Sequence, residues 1–363
     1  MERLNHIKLS NVHIDLLKTV AIIAAVMVHV AGRWTISGQE LNQLTPVAMT
    51  SWSVVFIYQS FAVLGVPLFL MVSGLLLLHP DKIKENETLR EFFKKHAARI
   101  GKPFAFWTII YFGWVFLVQN RPFSLGVLVQ GTLNGAYTQF WYVYVLLGLY
   151  ILTPLLRVIM THASQTLIKY FMAVWFISVS ILPFIGPLFP YQLNNNVFIM
   201  SGYIGYFVLG IYLCSIQIRR RITGALMLLG ITLTALATYV LAASGAGEGM
   251  YLFQAYLSPT VLFTGVMAFL LLKDKTPSAL EQKTNPTKWN KLVEVISKNT
   301  YGIFFVHVIV LETIQQGYLG FMLNREILNP IIEVPLLTII TLFVSLGIIL
   351  LLKKIPGLEK IVT

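Results

Sequence analysis

Charge is scarce in this chain: Asp, Glu, Lys and Arg together make up 12% of 363 residues, about half the share of an ordinary soluble domain. With 56% hydrophobic residues and a mean hydropathy of +0.74, that shortage argues against a water-soluble fold. Length alone would allow two soluble domains, but repeated long apolar runs assign most of the chain to a bilayer. Cysteine is nearly missing. The single Cys214 cannot form an intrachain disulfide or a CxxC metal pair, and its apolar surroundings fit an inert thiol. Also missing are an HExxH helix, a Walker lysine loop, a GxSxG elbow and any carboxylate-rich cluster, so no metal is expected. Acidic residues are the scarcer charge, leaving a net +12. A nucleic-acid partner is excluded by where the basic residues sit, in short loops between apolar runs rather than on one compact face.

What the chain does have is a series of apolar windows long enough to cross roughly 30 Å of hydrocarbon. They fall near 14–34, 53–78, 103–118, 140–157, 166–186, 199–216, 222–243, 251–272, 299–316 and 332–352. The first is too long for a signal peptide and lacks an A-x-A cleavage site, so it reads as a retained helix. With the N-terminus inside, the cytoplasmic segments are 1–13, 79–102, 158–165, 217–221, 273–298 and 353–363. Of the 27 basic residues, all but Arg33, Arg121 and Arg325 then lie on the cytoplasmic side. That asymmetry is the positive-inside pattern, and a miscount by one helix would scramble it. The expected fold is all-α: a polytopic membrane protein of about ten transmembrane helices, both termini cytoplasmic, forming one domain over 1–363. The outer loops near 32–52, 119–139 and 187–198 hold aromatic and amide side chains. They suit either a carbohydrate-facing rim or ordinary interfacial anchors.

Ionisable groups inside spans are expensive and mark functional sites by default. The first span carries Asp15, Lys18 and His29. At about 100° per residue, Lys18 and His29 lie about 20° apart on the wheel and Asp15 about 60° from Lys18, spread over roughly 21 Å. Asp15 and Lys18 near the helix end also fit an i,i+3 ion pair with snorkelling. His29 lies deeper, where it is either a packed, hydrogen-bonded ring or a proton-transfer group. The second span is interrupted by Gly65, Pro67, Ser73 and Gly74, which permit a kink or close helix approach. A basic run, Lys94-Lys95-His96-Ala97-Ala98-Arg99, precedes Pro103. Positive-inside bias explains its charge, and it equally suits a phosphate-bearing ligand gripped by Arg. Trp141-Tyr142, Tyr203-Ile204-Gly205-Tyr206 and Ser297 to Tyr301 to His307 follow; a second intramembrane histidine suggests a polar interior.

The order Asp15-x-x-Lys18 to His29, Gly65 to Ser73-Gly74, the basic mouth before Pro103, Trp141-Tyr142, and Ser297 to His307 resembles the acyltransferase-3 family of membrane O-acyltransferases, over about residues 12–352. The resemblance implies transfer of acetyl or another short acyl group from cytoplasmic acyl-coenzyme A to hydroxyls of extracytoplasmic glycans or lipid-linked sugars. It places His29 at the family's catalytic histidine, with Asp15 and Lys18 beside it. Lys18 stands where most members have Arg, and so loses the planar fork. His96 and Arg99 match an Arg-x-x-Arg donor-binding pair whose first Arg is replaced here, with Lys95 adjacent. Ser73, Trp141, Tyr142, Ser297, Tyr301 and His307 fall to the substrate cavity. Many relatives carry a fused esterase-like domain. None is visible here, which implies the stand-alone surface-polysaccharide O-acetyltransferase type in the cytoplasmic membrane. His29 is then either a general base for direct attack or the carrier of a covalent acyl group. The competing reading is a transporter or flippase of lipid-linked sugars, although the repeated halves common in transporters are not seen.

Overall fold

The computed structural model describes residues 11–34, 46–79, 87–185, 202–273, 287–324 and 327–362, and every regular element among them is helical. In chain order these are α1 (Asn11–Gly32), α2 (Pro46–Ala62), α3 (Gly65–Leu78), α4 (Leu89–Gly113), α5 (Leu125–Asn134), α6 (Trp141–His162), α7 (Gln165–Phe176), α8 (Ile204–Tyr212), α9 (Arg220–Ala243), α10 (Pro259–Lys273), α11 (Lys288–Gln315) and α12 (Pro330–Leu352). Among the described residues, nine helices are long and apolar enough to cross a membrane, and Ile204–Ser215 is a shorter apolar one. The chain is therefore an all-α polytopic membrane protein. Its lipid-facing surface is apolar, as on α9 (Leu228, Leu236, Val240) and α12 (Ile332, Ile339, Leu351).

Two boundaries differ from the sequence reading. The short window at 103–118 belongs to a helix that starts at Leu89, because Thr88 and Glu91 form a reciprocal capping box: the Thr88 hydroxyl accepts from Glu91 N at 3.3 Å and the Glu91 carboxylate from Thr88 N at 3.0 Å. Pro103 lies inside this helix rather than opening it. Likewise α11 starts at Lys288, where Thr287 accepts from Asn290 N at 3.2 Å. Hydropathy registers only the part of a helix that hydrocarbon covers, so both polar N-terminal extensions read as loop. The segment 187–198 lies outside the described residues.

Helix directions agree with a ten-span order. Contacts between α1 and α11 advance together, His29 against His307 and Arg33 against Glu312, so these two helices run parallel. In that order seven spans lie between them, which makes the two parallel, and the count requires the short helix to cross as well. Independently, Tyr206 at the start of α8 donates to Tyr256 O at 2.6 Å, while its end is met by Lys273, whose Nζ donates to Leu213 O at 2.7 Å and to Ile216 O. Thus α8 runs parallel to α10. Lys273 also supplies donors to carbonyls that a helix end leaves unpaired.

At the centre stands α1, enclosed by α2, α3, α11 and α12. Ala21, Ile22, Ala24, Val26, Val30 and Ala31 are fully buried. Small side chains let neighbours approach closely, and Gly65 faces the α1 backbone at Ala21 and Ala25. The tightest crossing is α3 on α8, where a Cβ on Gly74 would lie 1.8 Å from Phe207 O and one on Gly210 1.8 Å from Met71 O. Neither carbonyl can move without breaking its helix. Gly74→Ala and Gly210→Ala are expected to destabilise the protein by about 3 kcal/mol, at the upper end of ordinary overpacking. Gly148→Ala, with nothing within 4 Å of the new Cβ, should leave the melting temperature in detergent nearly unchanged; equal melting of all three would refute the close crossing.

Candidate functional site

Three polar levels lie along the contact between α1 and α11. At the end of the bundle rich in Lys and Arg, Ser297 donates to Asp15 Oδ1 at 2.6 Å. Among the described residues Asp15 closes no direct ion pair with Lys18, so the local salt-bridge reading does not hold; Lys18 lies within electrostatic reach of Asp15 and Arg99. The Arg99 charge in turn acts on Tyr150 and Tyr301. Tyr142 lies beside Ser73, Tyr150 and Tyr301. Among the described residues the buried Tyr301 hydroxyl has no hydrogen-bond partner.

Above this level lies a pair of imidazoles. The His29 and His307 ring centroids are 5.0 Å apart, tilted by 55°. His307 is completely buried. Its Nδ1 is 2.7 Å from Phe304 O and 3.2 Å from Ile303 O, and its Nε2 has no hydrogen-bond partner among the described residues. His29 keeps part of its surface accessible, although Val26 and Val30 on the same helix are fully buried. Among the described residues, nothing hydrogen-bonds the His29 ring. The Phe304 ring bridges the two levels, 5.4 Å from Tyr142 and 6.0 Å from His307.

The third level is a saturated carboxylate. Glu312 accepts from Arg33 at 2.9 Å and Tyr137 at 2.5 Å on Oε1, and from Trp114 at 2.9 Å and Gln119 at 3.2 Å on Oε2. Trp114 and Gln119 flank a π-helical turn at Trp114–Val118, closed by Gln119 N to Trp114 O at 3.0 Å. The wider turn brings side chains five residues apart toward the same side, which an α-helix would splay by about 140°. Nearby, Gln139 donates to Tyr111 Oη at 2.6 Å, and Tyr111 donates to Phe305 O at 2.6 Å.

Of the residues singled out in the sequence, the structure gathers Asp15, Lys18, Arg99, Ser73, Tyr142, Ser297 and Tyr301 near one level and His29 with His307 at the next. His96 is buried and packs on Phe92 at 4.3 Å and Tyr150 at 5.2 Å. Lys95 is exposed beside it. Trp141 lies apart, stacked on Tyr256 at 5.4 Å and near Tyr203 at 5.8 Å. Sequence reasoning missed Tyr150 and Tyr111; it counted Tyr137 and Gln139 only among the aromatic and amide side chains of the 119–139 loop, and did not connect Arg33, Tyr137, Trp114 or Gln119 with Glu312. A signal for the last existed: Glu312 interrupts an apolar span, and Arg33 is one of the few basic residues outside the positive-inside pattern. Among the described residues, no three His, Cys, Asp or Glu side chains assemble as a metal site.

A profile of the acyltransferase domain family, acyltransferase-3, matches residues 11–350. No curated protein and no solved structure matches the chain.

Glu312 is 5% exposed and the paired Arg33 side chain 44%. Deleting the carboxylate strands four part-buried donors at once, whereas deleting the guanidinium leaves three other partners in place. Glu312→Ala is therefore expected to lower stability by about 3 kcal/mol, as several donors lose their acceptor, and Arg33→Ala by less. Thermal unfolding in detergent would show the order, and a larger loss for Arg33→Ala would contradict it.

Proposed function

Since the chain belongs to the acyltransferase-3 family of membrane acyltransferases, we propose that it moves an acetyl or other short acyl group from cytoplasmic acyl-coenzyme A to a hydroxyl of an extracytoplasmic glycan or lipid-linked sugar. The observation that carries this reading is the line of polar side chains from Arg99 and Lys18, through Tyr301 and Tyr142, to the paired His29 and His307. The basic end of the bundle takes the cytoplasmic side, in keeping with the positive-inside pattern. The cell membrane is its site of action, with the polysaccharide O-acetyltransferases as the functional type.

Arg99 and Lys18 fit a phosphate-rich donor, since both are cationic and Arg99 is exposed at the mouth. Tyr301 contributes an unpaired phenol along the path, suited to an amide or hydroxyl of an extended arm. Asp15 holds Ser297 and tempers the Lys18 charge. At the far end, His29 removes the proton from the acceptor hydroxyl as its oxygen attacks the thioester carbonyl. The carbon–sulfur bond breaks, and His29 returns the proton to the departing thiolate, so no net proton is gained or lost. An acyl group carried on His29 is the covalent alternative. Trapping experiments with donor alone distinguish the two, since only the covalent route labels His29.

Two substitutions test the assignment. Arg99→Ala removes a phosphate partner worth about 1.5–3 kcal/mol, and should raise the donor KM by roughly 10- to 150-fold while leaving the acceptor KM nearly unchanged. An unmoved donor KM in a folded protein would reduce Arg99 to a topology anchor. His29→Gln retains hydrogen bonding but cannot carry the proton, so turnover should fall by about 10²–10⁴-fold with normal expression and melting. Near-normal turnover would make the imidazole structural.

A further inference from the structure

We infer that His307 is the positioning partner of His29: its Nε2 accepts an N–H from the His29 ring and so fixes which His29 nitrogen faces the substrates. This rests on the acyl-transfer reading above but assigns a residue and an atom that the reading leaves open.

The argument begins with the backbone. A neutral imidazole carries one N–H and one lone pair. Carbonyl oxygens only accept, and His307 Nδ1 faces two of them, Phe304 O at 2.7 Å and Ile303 O at 3.2 Å. Nδ1 is therefore the protonated nitrogen, held there by one turn of its own helix. The remaining Nε2 is an acceptor. It is completely buried and has no hydrogen-bond partner among the described residues. An unpaired acceptor in such a place carries a desolvation penalty, and the polar ring against it is His29, with centroids 5.0 Å apart.

His29 itself makes no hydrogen bond among the described residues, so its tautomer is open in the resting state. Catalytic hydrogen bonds are often long without substrate and tighten in the complex. A modest rotation of the His29 ring gives its N–H to His307 Nε2, leaving its other nitrogen as the base. When that nitrogen takes the acceptor proton, His29 becomes an imidazolium whose N–H still points at His307, and the hydrogen bond becomes charge-assisted. His307 gains and loses no proton. It occupies the orienting place that a carboxylate fills in a serine hydrolase triad, with a neutral acceptor that avoids placing a charge beside the rings. The carboxylate on the same helix, Glu312, is fully engaged by four other donors, which leaves His307 as the acceptor for His29.

Two measurements on the full-length protein in detergent decide this. Nitrogen-15 spectra of histidine-labelled protein, with the His307 signals assigned by loss in His307→Leu, should show Nδ1 protonated and Nε2 bare in the absence of any substrate. The opposite tautomer overturns the proposal, whatever the activity. In acyl-transfer assays, His307→Leu should lower kcat by about 100-fold with both KM values within about threefold of wild type. His307→Gln, which can return an acceptor oxygen near the Nε2 position, should recover at least tenfold of that loss. Equal inactivity of the two variants, both folded by thermal melting, would contradict an orienting acceptor and favour direct proton transfer by His307. Full activity of His307→Leu would likewise refute the proposal. If wild-type protein transfers no acyl group while the expected tautomer is seen, the functional reading fails and the geometry stands.

Discussion

The polar interior depends on one register, that of α1 against α11, because Asp15–Ser297, His29–His307 and Arg33–Glu312 all bridge those two helices. In hydrocarbon an unpaired polar group is costly, so each bridge resists sliding of either helix. The two outer bridges act as clamps on either side of the histidines. A slip of one residue along α11 would shift His307 by about 1.5 Å and rotate it by about 100°, enough to part the rings. The small residues of α1 serve the same end, letting α3 and α11 close in on a helix that must be central for its imidazole to be interior.

The π-turn at Trp114–Val118 shows what the fold tolerates to complete the outer clamp. Such turns have poorer hydrogen-bond geometry and occur mostly as single insertions at functional places. Here it delivers two donors to one carboxylate, and just past its capping residue Gln119 comes Asn120 with a positive φ of 52°. The Glu312 network therefore ties together the ends of α1 and α4 and the segment before α6, beyond the imidazole pair on the side away from the lysine-rich end.

Much of this was legible in the sequence. Apolar windows and the uneven distribution of Lys and Arg were sufficient for the ten-span order, since both follow from transfer energies that need no tertiary knowledge. Intramembrane Asp15, Lys18, His29 and His307 stood out for the same reason. Helix starts at Leu89 and Lys288 were hidden because caps, not hydropathy, set them. The partnership of Asp15 with Ser297 in place of Lys18 was invisible too: wheel geometry describes one helix, and the deciding neighbour is far away in the chain. Glu312 interrupts an apolar span because it is half of a pair, and the exceptional Arg33 is its other half.

That pairing across the chain has a consequence for synthesis. Arg33 and Glu312 are separated by 279 residues and Asp15 and Ser297 by 282. At about 5–20 residues per second, the wait between the emergence of partners is on the order of tens of seconds. Through that interval α1 is in or at the bilayer with its acid, its lysine, its imidazole and its terminal guanidinium uncompensated. The first helix made is thus among the last to find its place, and nascent chains that stall before α11 expose a charged, poorly anchored segment to membrane quality control. Truncation near the C-terminal end therefore removes more than the last helices, because it leaves the first one without the partner it was built to meet.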